Sequence, residues 1–201
     1  MKGLFELYDW WERSTGERIA DRTSHTRASI LHMVHSIVPT GDALAPIGDH
    51  ARDSTASLFD YHREYLLIAI ALYPDDRASA VAKGVLASSS VPRMSQGFMT
   101  VSDFLYARPE LQPLAASALS RTYFGAGTGH LFMRSGWDRD ATYAALVCGP
   151  YNEAHAHRDQ GSFVIHRRGW LAYDQNIASH SGIEQSEDMH NLVRIEQGGS
   201  A

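Results

Sequence analysis

The chain carries 11 histidines, six of them at or after residue 130, and its densest polar run is Asn152-Glu153-Ala154-His155-Ala156-His157-Arg158-Asp159. On an extended backbone residues two apart share a face, so His155 and His157 would present two imidazoles side by side. Asp174 follows His157 by 17 residues, and His190 follows Asp174 by 16. Neutral imidazoles and a carboxylate from adjacent strands can converge on a divalent ion. His157, Asp174 and His190 with a water would suit zinc in tetrahedral geometry. Other readings of the same residues stay open. An HxH pair on a strand can equally be two partly exposed polar side chains. A cupin-type site needs a Glu shortly after His157, where the chain has Arg158, Asp159, Gln160, Gly161 and Ser162. A mononuclear iron oxygenase would use HxD and a distal histidine, which His157 and Asp159 with His180 or His190 satisfy in form. A three-letter pattern of that kind arises often by chance.

These residues belong to the second of two halves with different periodicity. Leu4, Leu7, Tyr8 and Trp11 recur at helical spacing up to Gly16. Ser24 is placed to cap a second helix that carries Ile30, Leu31, Val34 and Ile37 and stops at Pro39. The loop PTGDALAPIGDH follows. A third helix is predicted from about Asp53 to Tyr73, a fourth from about Ala78 to Ala87, and a short one near Ser102 to Tyr106. Helices joined this way form antiparallel hairpins. After Arg121 the pattern predicts strands at His130–Arg134, Thr142–Val147, Ser162–His166, Trp170–Asp174 and Leu192–Glu196. Gly169 is available for positive φ in the turn Arg167-Arg168-Gly169. The expected class is α+β, helical over 1–115 and antiparallel β over 120–201. Five strands do not comfortably close a sandwich or barrel, so the chain reads as stopping inside its sheet.

Composition narrows the function classes. With 201 residues, 44% hydrophobic and 20% charged, the chain is globular and neither disordered nor fibrous. A net charge of -5 without a Lys/Arg cluster excludes a nucleic-acid-binding face. Cys148 is the sole cysteine, so no internal disulfide forms, and its apolar flanks predict a buried thiol. No apolar run reaches the roughly 20 residues of a membrane span. The N-terminus shows no signal-peptide core.

The run TYFGAGTGHLFMRSGWDRDATYAALVCGPYNEAHAHRDQGSFVIHRRGWLAYDQN combines several features. It has an aromatic-Gly start, an Arg-Ser-x-Trp turn at Arg134–Trp137, Gly-Pro, HxHxD, Ser-Phe and a strand ending in Asp. Met189-His190-Asn191-Leu192-Val193 follows. This resembles the toroid–sandwich junction of the heparinase II/III-like polysaccharide lyases, which include oligoalginate lyases. PTGDALAPIGDH is similar to the Pro-x-Gly…Pro-x-x-Gly-Asp loop of their α/α toroid. The resemblance implies the C-terminal helices of a toroid followed by the first strands of an antiparallel β-sandwich. It implies a structural zinc on His157, Asp174 and His190. It places His155 at the substrate cleft as a substrate-binding and catalytic group, with Asp159 behind the metal ligands.

The activity so implied is β-elimination on a uronic-acid-containing polysaccharide, in the periplasm or outside the cell. Such a lyase neutralises the substrate carboxylate with Asn, His or Arg, removes the α proton with His or Tyr, and protonates the leaving oxygen, commonly with Tyr. The family's Asn-His pair and Tyr lie upstream of the Pro-Gly…Gly-Asp loop. Here no Asn precedes position 152, and the one Tyr before the loop is Tyr8, beside Trp10 and Trp11 on an amphipathic face. Tyr61 and Tyr65 follow the loop at helical spacing and read as packing residues, and His62 beside them is a minor catalytic candidate. No Tyr lies between Asp174 and His190, where some members supply one. The upstream catalytic half-site is therefore expected to be missing. The chain would then be a fragment, be completed by another toroid segment or a homo-oligomer, or be a non-catalytic zinc-stabilised carbohydrate-binding remnant. Arg134 and Trp137 read as a structural turn, Arg167 and Arg168 as solvated, and Asp49 and His50 as the end of a loop near the cleft.

Overall fold

The computed structural model describes residues 2–51, 56–150, 157–174, 176 and 185–193, and among them five α-helices precede five strands. The first apolar stripe forms α1 (Lys2–Thr15), and Gly16 ends it at φ 77°, a conformation glycine adopts without steric penalty. α1 seats the buried Phe5 against Tyr65 of α3 (Asp60–Leu72), ring centroids 5.2 Å apart. α2 (His25–Ser36) begins after Ser24, but the Ser24 side chain makes no cap hydrogen bond. Its backbone is already helical (φ -73°, ψ -5°), whereas a capping hydroxyl needs the β region to reach the first free amides.

The helix expected from about residue 53 is broken over 57–59 before α3 begins at Asp60; residues 52–55 lie outside the described residues. Ser57 pairs with Ala43, Leu58 N donates to Asp42 O at 2.8 Å, and Leu44 N donates to Ala56 O at 2.8 Å. The backbone just before α3 is thus committed to the 42–44 loop and cannot join the helix. α4 (Arg77–Ser88) is capped by Asp76, whose carboxylate accepts from Ala78 N at 2.8 Å. The chain around residue 114 passes so close to α4 that a Cβ on Gly84 would lie 2.2 Å from Leu114 O.

The stretch between α4 and α5 (Thr100–Leu105) has no apolar period, and the polar side chains of α3 hold it instead. Asp60, 1% exposed, accepts from Ser95 N at 2.9 Å and Gln96 N at 2.7 Å. Glu64 accepts from Ser102 Oγ at 2.6 Å, and Arg63 Nε donates to Asp103 Oδ1 at 2.7 Å.

The strands form one antiparallel meander in the order β1 (Thr122–Gly125), β2 (His130–Arg134), β3 (Tyr143–Val147), β4 (Phe163–His166) and β5 (Trp170–Ala172). β1 is absent from the sequence reading. It has four residues and one buried position, too little for alternation to register. β5 stops at Ala172, short of Asp174. In the β4–β5 turn the positive φ of 59° falls on Arg168, not Gly169. Arg168 Nε reaches Asp140 Oδ1 at 2.6 Å, in the turn before β3. The strand expected over 192–196 falls mostly outside the described residues; Leu192 and Val193 join no ladder. Cys148 is exposed rather than buried, because Val147 takes the last inward position of β3 and the next residue faces out.

One face of the sheet (Phe132, Tyr143, Ala145 and Val164) packs on Val38 and Ala45 of the loop after α2. The Arg-Ser-x-Trp turn clasps the helices to this sheet. Arg134 Nη2 donates to His35 O at 2.9 Å and Ile37 O at 3.0 Å, and its guanidinium stands 3.8 Å from the Trp137 ring centroid. Burial pushes the Arg134 pKa down to about 10. On the same junction His35 stacks on Tyr123 with centroids 5.0 Å apart, and His32 Nε2 lies 3.2 Å from His130 Nδ1. Among the described residues no helix is long and apolar enough to cross a membrane.

Candidate metal centre

Three segments meet beyond the β5 edge of the sheet. His157 precedes β4, and the chain between them turns at Gly161 (φ 91°) with Ser162 N donating to Asp159 O at 2.8 Å. Asp174 lies two residues past β5. Its Oδ1 accepts from Asn176 N at 2.9 Å and Asn176 Nδ2 at 3.0 Å, which fixes the carboxylate and leaves Oδ2 for other partners. His190 ends the short 3-10 turn Glu187–Met189. That segment is pinned to the sheet by Phe163 N to Asn191 O at 3.0 Å, Asn191 Nδ2 to Phe163 O at 3.0 Å, and Arg158 N to Gln185 O at 2.9 Å. The His-Asn dipeptide therefore has a divided role: Asn191 anchors and His190 points inward.

The ligand-type atoms of His157, Asp174 and His190 lie within 4.8 Å of one another, and all three residues are buried. The rings of His157 and His190 are 5.2 Å apart, tilted by 47°. His190 Nδ1 and Asp174 Oδ2 approach to 2.5 Å. Burial works against a charge on His190, but the hydrogen bond and negative charge of Asp174 outweigh it and hold its pKa above the usual histidine value. Burial raises the pKa of nearby Asp159, against the attraction of His190 and His157.

Two observations bear on whether an ion fits. His157 Nδ1 and His190 Nε2 are buried without a hydrogen-bond partner among the described residues. Leaving such an atom unsatisfied costs roughly 1–3 kcal/mol, which a bound cation would remove. Two ligands of a tetrahedral zinc stand about 2.0–2.2 Å from the ion and hence about 3.3 Å apart. The spacings observed here, within 4.8 Å overall and 2.5 Å between His190 Nδ1 and Asp174 Oδ2, bracket that separation. The donor set of two imidazoles and one carboxylate, leaving one position for water, matches zinc chemistry.

The convergent group takes Asp174 and not Asp159, so the HxD part of the oxygenase pattern does not join it. Asp159 is 6% exposed and accepts from Gln160 Nε2 at 3.1 Å. His155 and His180 lie outside the described residues. Tyr8 and Tyr65 pack on the helical core, and Tyr61 is exposed. His62 is a local brace, its Nδ1 accepting from Phe59 N at 3.2 Å at the start of α3. Arg168 pairs with Asp140 in solvent.

One contact lies beyond spacing arguments. His157 Nε2 meets Asp49 Oδ1 at 3.1 Å, across 108 residues. Asp49 sits in the 3-10 turn Gly48–Ala51 at the end of the Pro/Gly loop, where Gly48 has φ 57°. No spacing in the sequence pointed to this partner.

No family model matches the chain, and no curated protein matches it in sequence. Solved structures do. A heparinase III structure aligns with TM-score 0.57 and 14% identity, covering 90% of this chain and 27% of that one. A heparan sulfate lyase from Pedobacter heparinus aligns with TM-score 0.46 and 17% identity, over 80% of this chain and 20% of that one. The first likeness shows the fold, an α+β arrangement shared with part of heparinase III. The chain spans about a quarter or less of the length of these structures.

Proposed function

We propose that the chain is part of a polysaccharide lyase that cleaves a uronic-acid-containing polysaccharide by β-elimination, with a structural zinc. The observation that carries the reading is a buried His/Asp/His group at the edge of a sheet whose fold is like that of heparinase III. On this reading residues 1–115 are the last helical hairpins of a toroid, and residues 120–201 open a β-sandwich. His157, Asp174 and His190 hold the ion, and Asp159 lies behind them. Zinc when bound supplies a cross-link between the segments before β4, after β5 and around residue 190, and it need not touch substrate. His155, two residues from His157, serves the carboxylate-binding side of the cleft. The Asn-His pair and Tyr of the elimination come from other polypeptide. Work in the periplasm or outside the cell belongs to the same reading.

The test is metal content by elemental mass spectrometry on the purified chain and its His157→Ala variant. It is run beside an ultraviolet assay for unsaturated uronate product with alginate, hyaluronan and heparan sulfate. About one zinc per chain, lost in the variant, supports the reading. Iron in its place would move the centre to the oxygenase class. Absence of any bound metal would overturn the zinc part, and unsaturated product from this chain alone would overturn the placing of the Asn-His pair and Tyr on other polypeptide.

A further inference from the structure

The three proposed ligands all come from the sheet side of the molecule, and what orients the most buried of them comes from the helical side. The His157 side chain is 0% exposed, with its Nε2 against Asp49 Oδ1 at 3.1 Å and its Nδ1 buried without a partner among the described residues. A neutral imidazole carries one proton. A carboxylate acceptor beside Nε2 draws that proton there and leaves the lone pair on the buried, unpartnered Nδ1 for a cation held with Asp174 and His190. With the proton on Nδ1 instead, the same ring could not bind a cation through that atom, and Nε2 would turn a lone pair toward a carboxylate.

We infer that Asp49 is a positioning residue for this centre: it fixes the His157 tautomer and ring orientation, and it couples cation binding to the seating of the Pro/Gly loop on the sheet. The coupling follows from topology. Asp49 belongs to the loop whose Val38 and Ala45 cover the inner face of the sheet, 108 residues before the histidine it orients. A cation that binds better when the loop is seated must also make the loop seat better, because linkage is reciprocal. This inference rests on the zinc reading above.

The experiment measures zinc affinity of the full chain by chelator competition for wild type, Asp49→Asn and Asp49→Ala, with the visible spectrum of the cobalt(II)-loaded forms. Outer-sphere carboxylates of this kind contribute about 10–100-fold to metal affinity. Asp49→Ala is expected to lose affinity toward the upper end of that range and to shift the cobalt bands. Asp49→Asn, whose side-chain oxygen still accepts from Nε2, is expected to lose less and keep the bands. The Asp49 side chain is 41% exposed, so both variants should fold, and circular dichroism checks this. Wild-type affinity and spectrum in Asp49→Ala, with zinc still lost in His157→Ala, would overturn this inference and leave the centre standing. A melting temperature lowered equally with and without zinc would show Asp49 to be structural only. If the wild type binds no zinc, the underlying reading fails instead.

Discussion

Arg134 offers the most demanding test of how the helices are joined to the sheet. Replacing it with alanine removes two charge-assisted hydrogen bonds, to His35 O and Ile37 O, each contributing about 1.5–3 kcal/mol. It also removes the guanidinium from 3.8 Å above the Trp137 ring and 5.1 Å from the Tyr143 ring, roughly 0.5–2 kcal/mol more. Against this stands the desolvation of the cation. Burial lowers its pKa from 12.5 to about 10. By the usual conversion that is on the order of 3 kcal/mol regained when the charge is deleted. The balance predicts a loss of about 3 kcal/mol for Arg134→Ala. At about 2–4 °C per kcal/mol for a chain of this size, melting should fall by roughly 6–12 °C. Arg134→Lys keeps the charge but loses the planar guanidinium over the Trp137 ring, and should fall between. Thermal and urea unfolding followed by circular dichroism read both. An Arg134→Ala protein that melts within about 1 °C of wild type would refute the reasoning. So would a more stable Arg134→Met, since desolvation would then outweigh the clasp.

Gly129 has φ 69°, and a Cβ there would sit 2.1 Å from Gly149 Cα, so Gly129→Ala should destabilise by about 3 kcal/mol or more, whereas Gly127→Ala, with nothing within 4 Å, should be close to neutral in the same melts. Asp60→Ala strands the amides of Ser95 and Gln96. It should cost about 2–4 kcal/mol, with proteolysis appearing first between α4 and α5. His32 and His35 are both held down to about 4, chiefly by burial, with the charges of neighbouring His130 and Arg134 adding to it. Their folded pKa lies below the unfolded value, so their contribution is complete above about pH 6.5 and is lost as pH falls toward 4. Urea midpoints of the chelator-treated protein should drop across that window, and His35→Gln should flatten the drop; an unchanged slope would count against the burial effect. If the zinc reading holds, chelation alone should lower the melting temperature in a zinc-reversible manner, by an amount that grows with free zinc over its dissociation constant.

Local order was largely legible in the chain. The apolar stripes of α1, α2 and α4 and the alternation of β2, β3 and β4 arise from contacts each segment makes along its own length, so a window of residues carries the signal. The types and spacing of His157, Asp174 and His190 likewise pointed to one cluster, because strands and a hairpin bring such positions to one sheet edge. What tertiary structure decided involves partners far apart in sequence. α3 starts at Asp60 because the 42–44 loop claims the residues before it. Ser24 lies where a cap would be but in a backbone conformation that cannot make one. Arg168 takes the left-handed turn position beside a glycine that was free to. The bond from Asp49 to His157, and that from Arg134 to the end of α2, join residues about a hundred positions apart. Neither has a local signature, because a hydrogen bond across such a distance depends on where two surfaces meet. That meeting is settled by burying the inner face of the sheet under the loop after α2.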